Sequence, residues 1–408
     1  MRFTCKLWAQ HLGWTFKKHW RVQGKRVPHD TGAIIELENR GIQVKDANKV
    51  LAPKLDRKPI EIVGIKPAVI TEDQTHPNWH NQVCHSYGNS NILLEGLLQA
   101  QVLTNTIIID KFPHNIEESI SKMQVTTSTD RSVKNAITAS HVYDAQQVKL
   151  PKVKLLERPS YNLPRDYGIN HERRNRLLIN KLIYECEKLI APAEISHRKL
   201  LDDVDFKIAL SKDEDILQFD ISAEKILMST KPIEPVRTKF SGELPDLYPI
   251  KCTITMPKKH IYTTNNIYSL RNSTVYAHPH TIFLNFNKEI VGNLHETNVS
   301  TTQFQSRTML KSFAVAASKA KQLYGDSFMG PLPKPIVVQG IQTDGRSFHF
   351  GVFQLNTLSL NSTEGTKNYW FHQSNLDLFS DCGYKAGRPT LVGYNKDVFR
   401  IFNAFYKS

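Results

Sequence analysis

Cysteine is scarce. The 408-residue chain has five, at positions 5, 84, 186, 252 and 382. An odd, scattered set is no disulfide framework, which excludes a small secreted scaffold. Long apolar runs are also missing. The richest stretch, residues 92–103, is broken by Glu95 and two glutamines, far short of the roughly eighteen apolar residues that a membrane-crossing helix needs. Neither G-x-x-x-x-G-K-S/T nor G-x-G-x-x-G occurs, so no phosphate-cradling loop is signalled. H-E-x-x-H and paired C-x-x-C are absent as well, which removes the familiar routes to zinc. N-x-S/T sequons at Asn272, Asn298 and Asn361 come without a secretory signal and read as chance in a chain rich in Asn, Ser and Thr.

What the chain does have is positive charge and enough apolar residues for a core. Lys plus Arg is 53 against 39 acids, a net charge of +14, with 40% apolar residues. Residues 1–27 hold Arg2, Lys6, Lys17, Lys18, Arg21, Lys25 and Arg26 and no acid. Leu7, Trp8, Leu12, Phe16 and Trp20 recur near helical spacing among them. A basic, acid-free, amphipathic start fits a mitochondrial presequence, although serine is absent from it. Without its seven cations the net charge falls to +7, which suits a protein touching phosphate over part of its surface.

Residues 28–80 read as an extended basic arm. Pro53, Pro59, Pro67 and Pro77 disfavour long helices there. Residues 81–408 read as an α+β globular region, with a proline-bearing stretch near 150–170 as a point of subdivision. Within it the pattern predicts a helix over most of 90–109 and another at 171–190, striped by Leu177, Leu178, Leu182, Ile183, Cys186, Leu189 and Ile190. Short strands follow at 206–210, 216–221 and 226–228, and a buried one at 281–286. A helix at 302–324 turns Met309, Leu310, Phe313, Ala314, Ala317, Ala320 and Leu323 inward and ends at Gly325. Residues 336–341 and 347–355 flank Thr343-Asp344-Gly345-Arg346, and Asp-Gly supplies the left-handed geometry of a hairpin turn. Val398, Ile401, Phe402 and Phe405 mark a closing helix. Mixed helices and antiparallel hairpins define the fold class as α+β.

Candidate chemistry is thin. His76, His80 and Cys84 would share a face if the segment were helical, with His85 elsewhere, but Pro77 and Gly88 argue against a helix and no second ligand pair is near. Gly325-Asp326-Ser327-Phe328-Met329-Gly330 is one residue too long for a nucleophile elbow and follows a helix. His278-Pro279-His280 reads as a turn or strand entry, and His349 as a satisfied structural histidine. Asp213, Glu214 and Asp215 read as a turn. No cofactor or metal is signalled. Nucleic-acid contact rests on Arg173, Arg174 and Arg176 of the first strong helix, and on Lys258, Lys259 and Arg271 of a basic loop region where Tyr262 and Tyr268 could stack on bases.

Two segments carry a family resemblance: VVQGIQTDGRSFHFGVFQLNTLSLNSTEGTKN at 337–368 and LLEGLLQAQVLT at 93–104. With the helix at 309–325 and the closing GYNKDVFRIF at 393–402, they resemble a family of mitochondrial large-subunit ribosomal proteins, that of protein thirty-seven and its sister, programmed cell death protein nine. The resemblance covers roughly residues 70–408 and is densest in the last hundred; residues 40–70 match the family pattern poorly. It implies a non-enzymatic component of the mitochondrial ribosome's large subunit, in the matrix. Its expected partners are the large-subunit ribosomal RNA and neighbouring ribosomal proteins, the sister among them. The family offers no catalytic residues to carry over. The alternative is a mitochondrial RNA-processing or RNA-modifying enzyme, which would need clustered carboxylates or a cofactor loop.

Overall fold

The computed structural model describes residues 31–45, 72–144, 146–150, 167–270, 274–293, 297–361, 365–385 and 388–408. The stretch read as a presequence at 1–27, Arg271 and much of the stretch read as an arm therefore lie outside the described residues. Eight helices and fifteen strands are seen among them, a mixed α+β fold as the sequence indicates. The chain divides into two units, residues 1–69 and 70–408. In the first, α1 (Ala33–Asn39) starts from Gly32 at φ +68°, and Arg40 pairs with Glu36 one turn back at 3.7 Å.

The second unit is built on one eleven-stranded mixed sheet. Its longest members are β5 (Arg198–Lys212) and β6 (Asp215–Ser229), antiparallel and paired from Arg198–Ser229 to Lys212–Asp215. The sequence pattern suggests three short strands here because Asp202, Asp203 and Asp205 cut the first one short and Ser222-Ala223-Glu224-Lys225 divides the other two. In the structure the alternation Val204, Phe206, Ile208, Leu210 is buried, and most of the acids point to solvent. Asp213-Glu214 is the turn, with Asp213 at φ +53°.

On its other side β6 is shared. Its first half pairs in parallel with β1 (Trp79–Gly88), and its second half pairs antiparallel with β9 (His278–Asn285). Beyond β1 lies the edge strand β7 (Lys258–Ile261). Beyond β9 come β10 (Pro331–Thr343), β11 (Ser347–Thr357), β12 (Asn368–His372) and β2 (Thr106–Ile109). The β10–β11 hairpin turns at Gly345, φ +95°, where the Asp-Gly signal places it. Parallel β9 and β10 need a crossover, and α7 (Thr301–Tyr324) supplies it. Other helices are α2 (Leu97–Thr104), α3 (His114–Lys122), α4 (Thr127–His141), α5 (His171–Lys188), the short α6 (Pro192–Ile195) and α8 (Lys396–Lys407). Small strands complete the fold: the β3–β4 pair (Val148–Lys149, Tyr167–Gly168), β8 (Ile267–Tyr268) on β5, β13 (Leu376–Asp377) on β11, and the hairpin β14–β15 (Asp381–Lys385, Arg388–Val392).

Period-two alternation sorts the sheet's side chains into two cores. Ile282, Leu284, Val338, Phe353 and Trp370 face α7 and α2. Phe283, Val337, Ile341, Phe350, Val352 and Phe371 face α4, α5 and α8. The layers are helix, sheet, helix. Phe313 of α7 meets Phe219 of β6 at 5.4 Å and Phe353 of β11 at 5.5 Å, so the sheet curls around the helix. That is why residues 303–321 of α7 are all buried, including three lysines and Arg307. Ser300 and Gln303 form a capping box at its start, and Gly325 ends it at φ +97°. Truncating Phe313 to Ala would cost about 3–5 kcal/mol.

Two sequence expectations need correction. Ile92 precedes α2, which starts only after Gly96, and residues 106–109 are a strand. Gly96 sits at φ +55°, and a Cβ on it would lie 2.7 Å from the Thr302 backbone. The chain must turn there because α2 approaches the first turn of α7. Leu323 is 47% exposed, since α7 has by then emerged from the sheet's wrap.

Candidate nucleic-acid interface

The three arginines of α5 point to different neighbours. Asn170 caps the helix, and Arg173 grips the Asp144 carboxylate with two nitrogens, Nη2 donating to Oδ1 at 2.9 Å. Arg176 pairs with Asp203 of β5. Arg174 turns inward and donates weakly to the Ile169 carbonyl at 3.4 Å, with burial lowering its pKa. The cationic stripe seen in the sequence is thus tied to the chain's own acids and carbonyls. This was not legible locally, because Asp144 and Asp203 belong to other segments.

Lys258 and Lys259 are different. Both are exposed on the edge strand β7, opposite His85 and Cys84 of β1, and neither joins an ion pair among the described residues. Beside them Trp79 stacks on His260 with centroids 4.8 Å apart, and His80 stacks on Tyr262 at 4.3 Å. Tyr262 is buried and its hydroxyl donates to the Gln82 carbonyl at 2.9 Å, so it is not a free stacking platform. The Tyr268 hydroxyl is held by Asp326.

The metal-like quartet does not converge. His76 is in a turn, where Nδ1 accepts from the Asn78 N–H at 3.0 Å. The register of β1 shifts between Trp79 and Cys84, His80 stacks on Tyr262, and Cys84 and the next residue His85 point to opposite faces. His85 meets Asp215 at 3.1 Å, while the Cys84 thiol is buried beside Gln218 and its pKa is raised by that burial. Among the described residues no three His, Cys, Asp or Glu side chains gather as metal ligands. Asp213 and Glu214 act through backbone groups, the Asp213 N–H donating to Asn361 and the Glu214 carbonyl accepting from Gln82.

Sequence reading missed a chain that runs inward from an exposed acid. Asp110 meets His372 at 3.2 Å, His372 meets His349 at 3.3 Å, and His349 meets the Thr308 hydroxyl at 2.8 Å. Burial drives the His349 pKa well below its usual value, with His372 adding to the effect. Thr308 at the inner end is fully buried, so the chain presents no nucleophile to solvent. His280 is likewise internal. It contacts the Ser408 carbonyl at 2.6 Å, and burial pushes its pKa down to about 3.

The molecule is therefore an α+β protein whose reactive side chains are largely spent on its own core, with uncommitted charge left at a sheet edge. Comparison with known proteins gives this class a relation. Residues 288–407 match the family described as mitochondrial 28S ribosomal protein S30 (PDCD9). The chain is 26% identical over 349 residues to large ribosomal subunit protein mL37 of Rattus norvegicus, covering 81% of this chain and 76% of that protein. The Bos taurus protein of that name gives 26% over 349 residues, with 82% and 77% covered, and the Gallus gallus one 26% over 343, with 79% and 73%. The chain is similar to mitochondrial large-subunit ribosomal proteins, the resemblance its own motifs carry.

Proposed function

We propose that this chain is a structural component of the large subunit of the mitochondrial ribosome, working in the matrix in support of translation. It binds ribosomal RNA and neighbouring ribosomal proteins, its sister family member included. The similarity to mL37 over about four-fifths of the chain carries this reading. The net charge, +7 without residues 1–27, and the exposed Lys258 and Lys259 on β7 agree with contact to phosphate. The turn at Asp213-Glu214, the dispersed metal-like quartet and the internal histidine chain offer no assembled centre for an RNA-processing enzyme. Residues 1–27 serve as the import presequence, and the 28–80 arm lies along a partner. Sucrose-gradient fractionation of mitochondria tests the reading. Co-sedimentation with the large subunit is expected, and a protein found only in the free fractions rejects it.

A further inference from the structure

A cleft of about 640 Å³ opens between residues 235–240 and the strands β10, β11 and β12. Among the described residues Arg237, Lys239 and Lys367 line it and no carboxylate does. Four other cavities each bring an acid to the wall: Glu194, Asp326, Asp110 and Asp344 respectively. The ring of Phe240 forms part of the cleft, edge-on to Tyr369 at 5.3 Å.

The cationic wall is held in place from two ends. The Gln354 side chain accepts from the Val236 N–H at 2.8 Å and donates to the Val236 carbonyl at 3.1 Å. The Tyr369 hydroxyl accepts from the Phe240 N–H at 3.3 Å. Arg237 and Lys239 sit between these anchors, exposed, and join no ion pair among the described residues. Across the cleft Lys367 donates to Asn105 at 3.1 Å, and burial lowers its pKa.

We propose that this cleft receives a single-stranded segment of RNA, one base against Phe240 and the flanking phosphodiesters on Arg237 and Lys239. Cations beside an aromatic wall are how single strands are held without sequence readout. A free nucleoside triphosphate fits less well, because no glycine-rich loop or helix N-terminus faces the cleft to cradle its phosphate tail. The inference rests on the ribosomal reading above for the identity of the strand as RNA.

Fluorescence anisotropy of the full chain with a labelled oligouridine, in parallel with free UMP and ATP, tests it between low and moderate salt. Arg237→Glu with Lys239→Glu removes two phosphate contacts, which lowers the single-strand salt slope by about 1.4 and the affinity about tenfold or more. Phe240→Leu lowers affinity by about fivefold or more at unchanged slope. Circular dichroism checks the fold, and the doubly charge-reversed variant touches only exposed side chains. Cleft variants that bind like wild type overturn the inference, as does loss seen only with Lys258→Glu and Lys259→Glu. Free nucleotide competing as well as the oligomer also overturns it. A wild-type chain that ignores the oligomer yet co-sediments with the large subunit sinks the cleft and spares the ribosomal reading. A chain absent from large-subunit fractions sinks that reading, whatever the cleft binds.

Discussion

Placing a methyl group on Gly351 would test how the sheet accommodates its core. Gly340 and Gly351 are opposite one another on β10 and β11, on the face toward α7. A Cβ on Gly351 would lie 2.2 Å from Cζ2 and 2.3 Å from Cη2 of Trp370, which is wholly buried. One on Gly340 would lie 2.4 Å from the Ser312 hydroxyl. Carbon atoms rest at about 3.5–4.0 Å, so the indole must retreat by more than about 1 Å. The interior is packed like an organic crystal and gives little room. Such overpacking costs about 1–3 kcal/mol, and Gly→Ala recovers part of it by restricting the unfolded chain. For a unit of this size the melting temperature should fall by roughly 2–6 °C. Differential scanning calorimetry of wild type, Gly351→Ala, Trp370→Phe and the double variant reads the effect. The smaller ring should relieve the clash, giving a double variant less damaged than the sum by about 0.5–3 kcal/mol. A Gly351→Ala protein that melts with wild type, or strictly additive singles, would refute the argument.

Acidification should destabilise the fold. Burial holds His280 at about 3, His141 at about 4 and His349 well below its usual value, so all three stay neutral when folded. The unfolded chain binds those protons near pH 6.5, so stability rises with pH between about 4 and 6.5 and is lost on acidification through that window. Urea melts at pH 7 and 5 with equal midpoints would contradict this. Lys311, sealed in α7 with Nζ 2.8 Å from the Ser222 carbonyl, has its pKa pushed down to about 7 by burial and by Arg307. The unfolded lysine titrates near 10.4, so wild-type stability climbs from about pH 7 to 10. Lys319, held at about 8 by burial, adds to the same climb, so Lys311→Met should shrink it and leave stability at pH 7 equal or higher; an unchanged slope in denaturant titrations would count against it. Lys258→Glu with Lys259→Glu should weaken RNA binding and lower the salt slope by about 1.4, whereas Arg173→Ala should leave affinity unchanged. Salt-titrated anisotropy separates them, and the reverse ranking would show that α5 is the RNA-facing element.

Local signals made α5, α7, α8 and the β10–β11 hairpin legible. Each is amphipathic or apolar over its length, and Gly325 and Gly345 mark a helix end and a turn that the pattern reveals. The length of β5 and β6 was not legible, because solvent-facing acids break the apolar run without breaking the strand. Nor was the strand character of residues 106–109, which depends on pairing with β12 far along the chain. The interface was harder still. Charge counts cannot tell Arg173, clasped by Asp144, from Lys259, which has no such partner. Arg237, Lys239 and Phe240 lay unnoticed in a basic loop, since Lys367 and Tyr369 join them only through the fold.

The β5–β6 ribbon is fifteen residues long on each strand, about 50 Å end to end. Its hydrogen bonds lie across its long axis, so a pull along that axis loads them together, in shear. Peeling strand from strand at the open Arg198–Ser229 end would instead break them one after another. Such a beam resists tension along its length far better than it resists unzipping from that end.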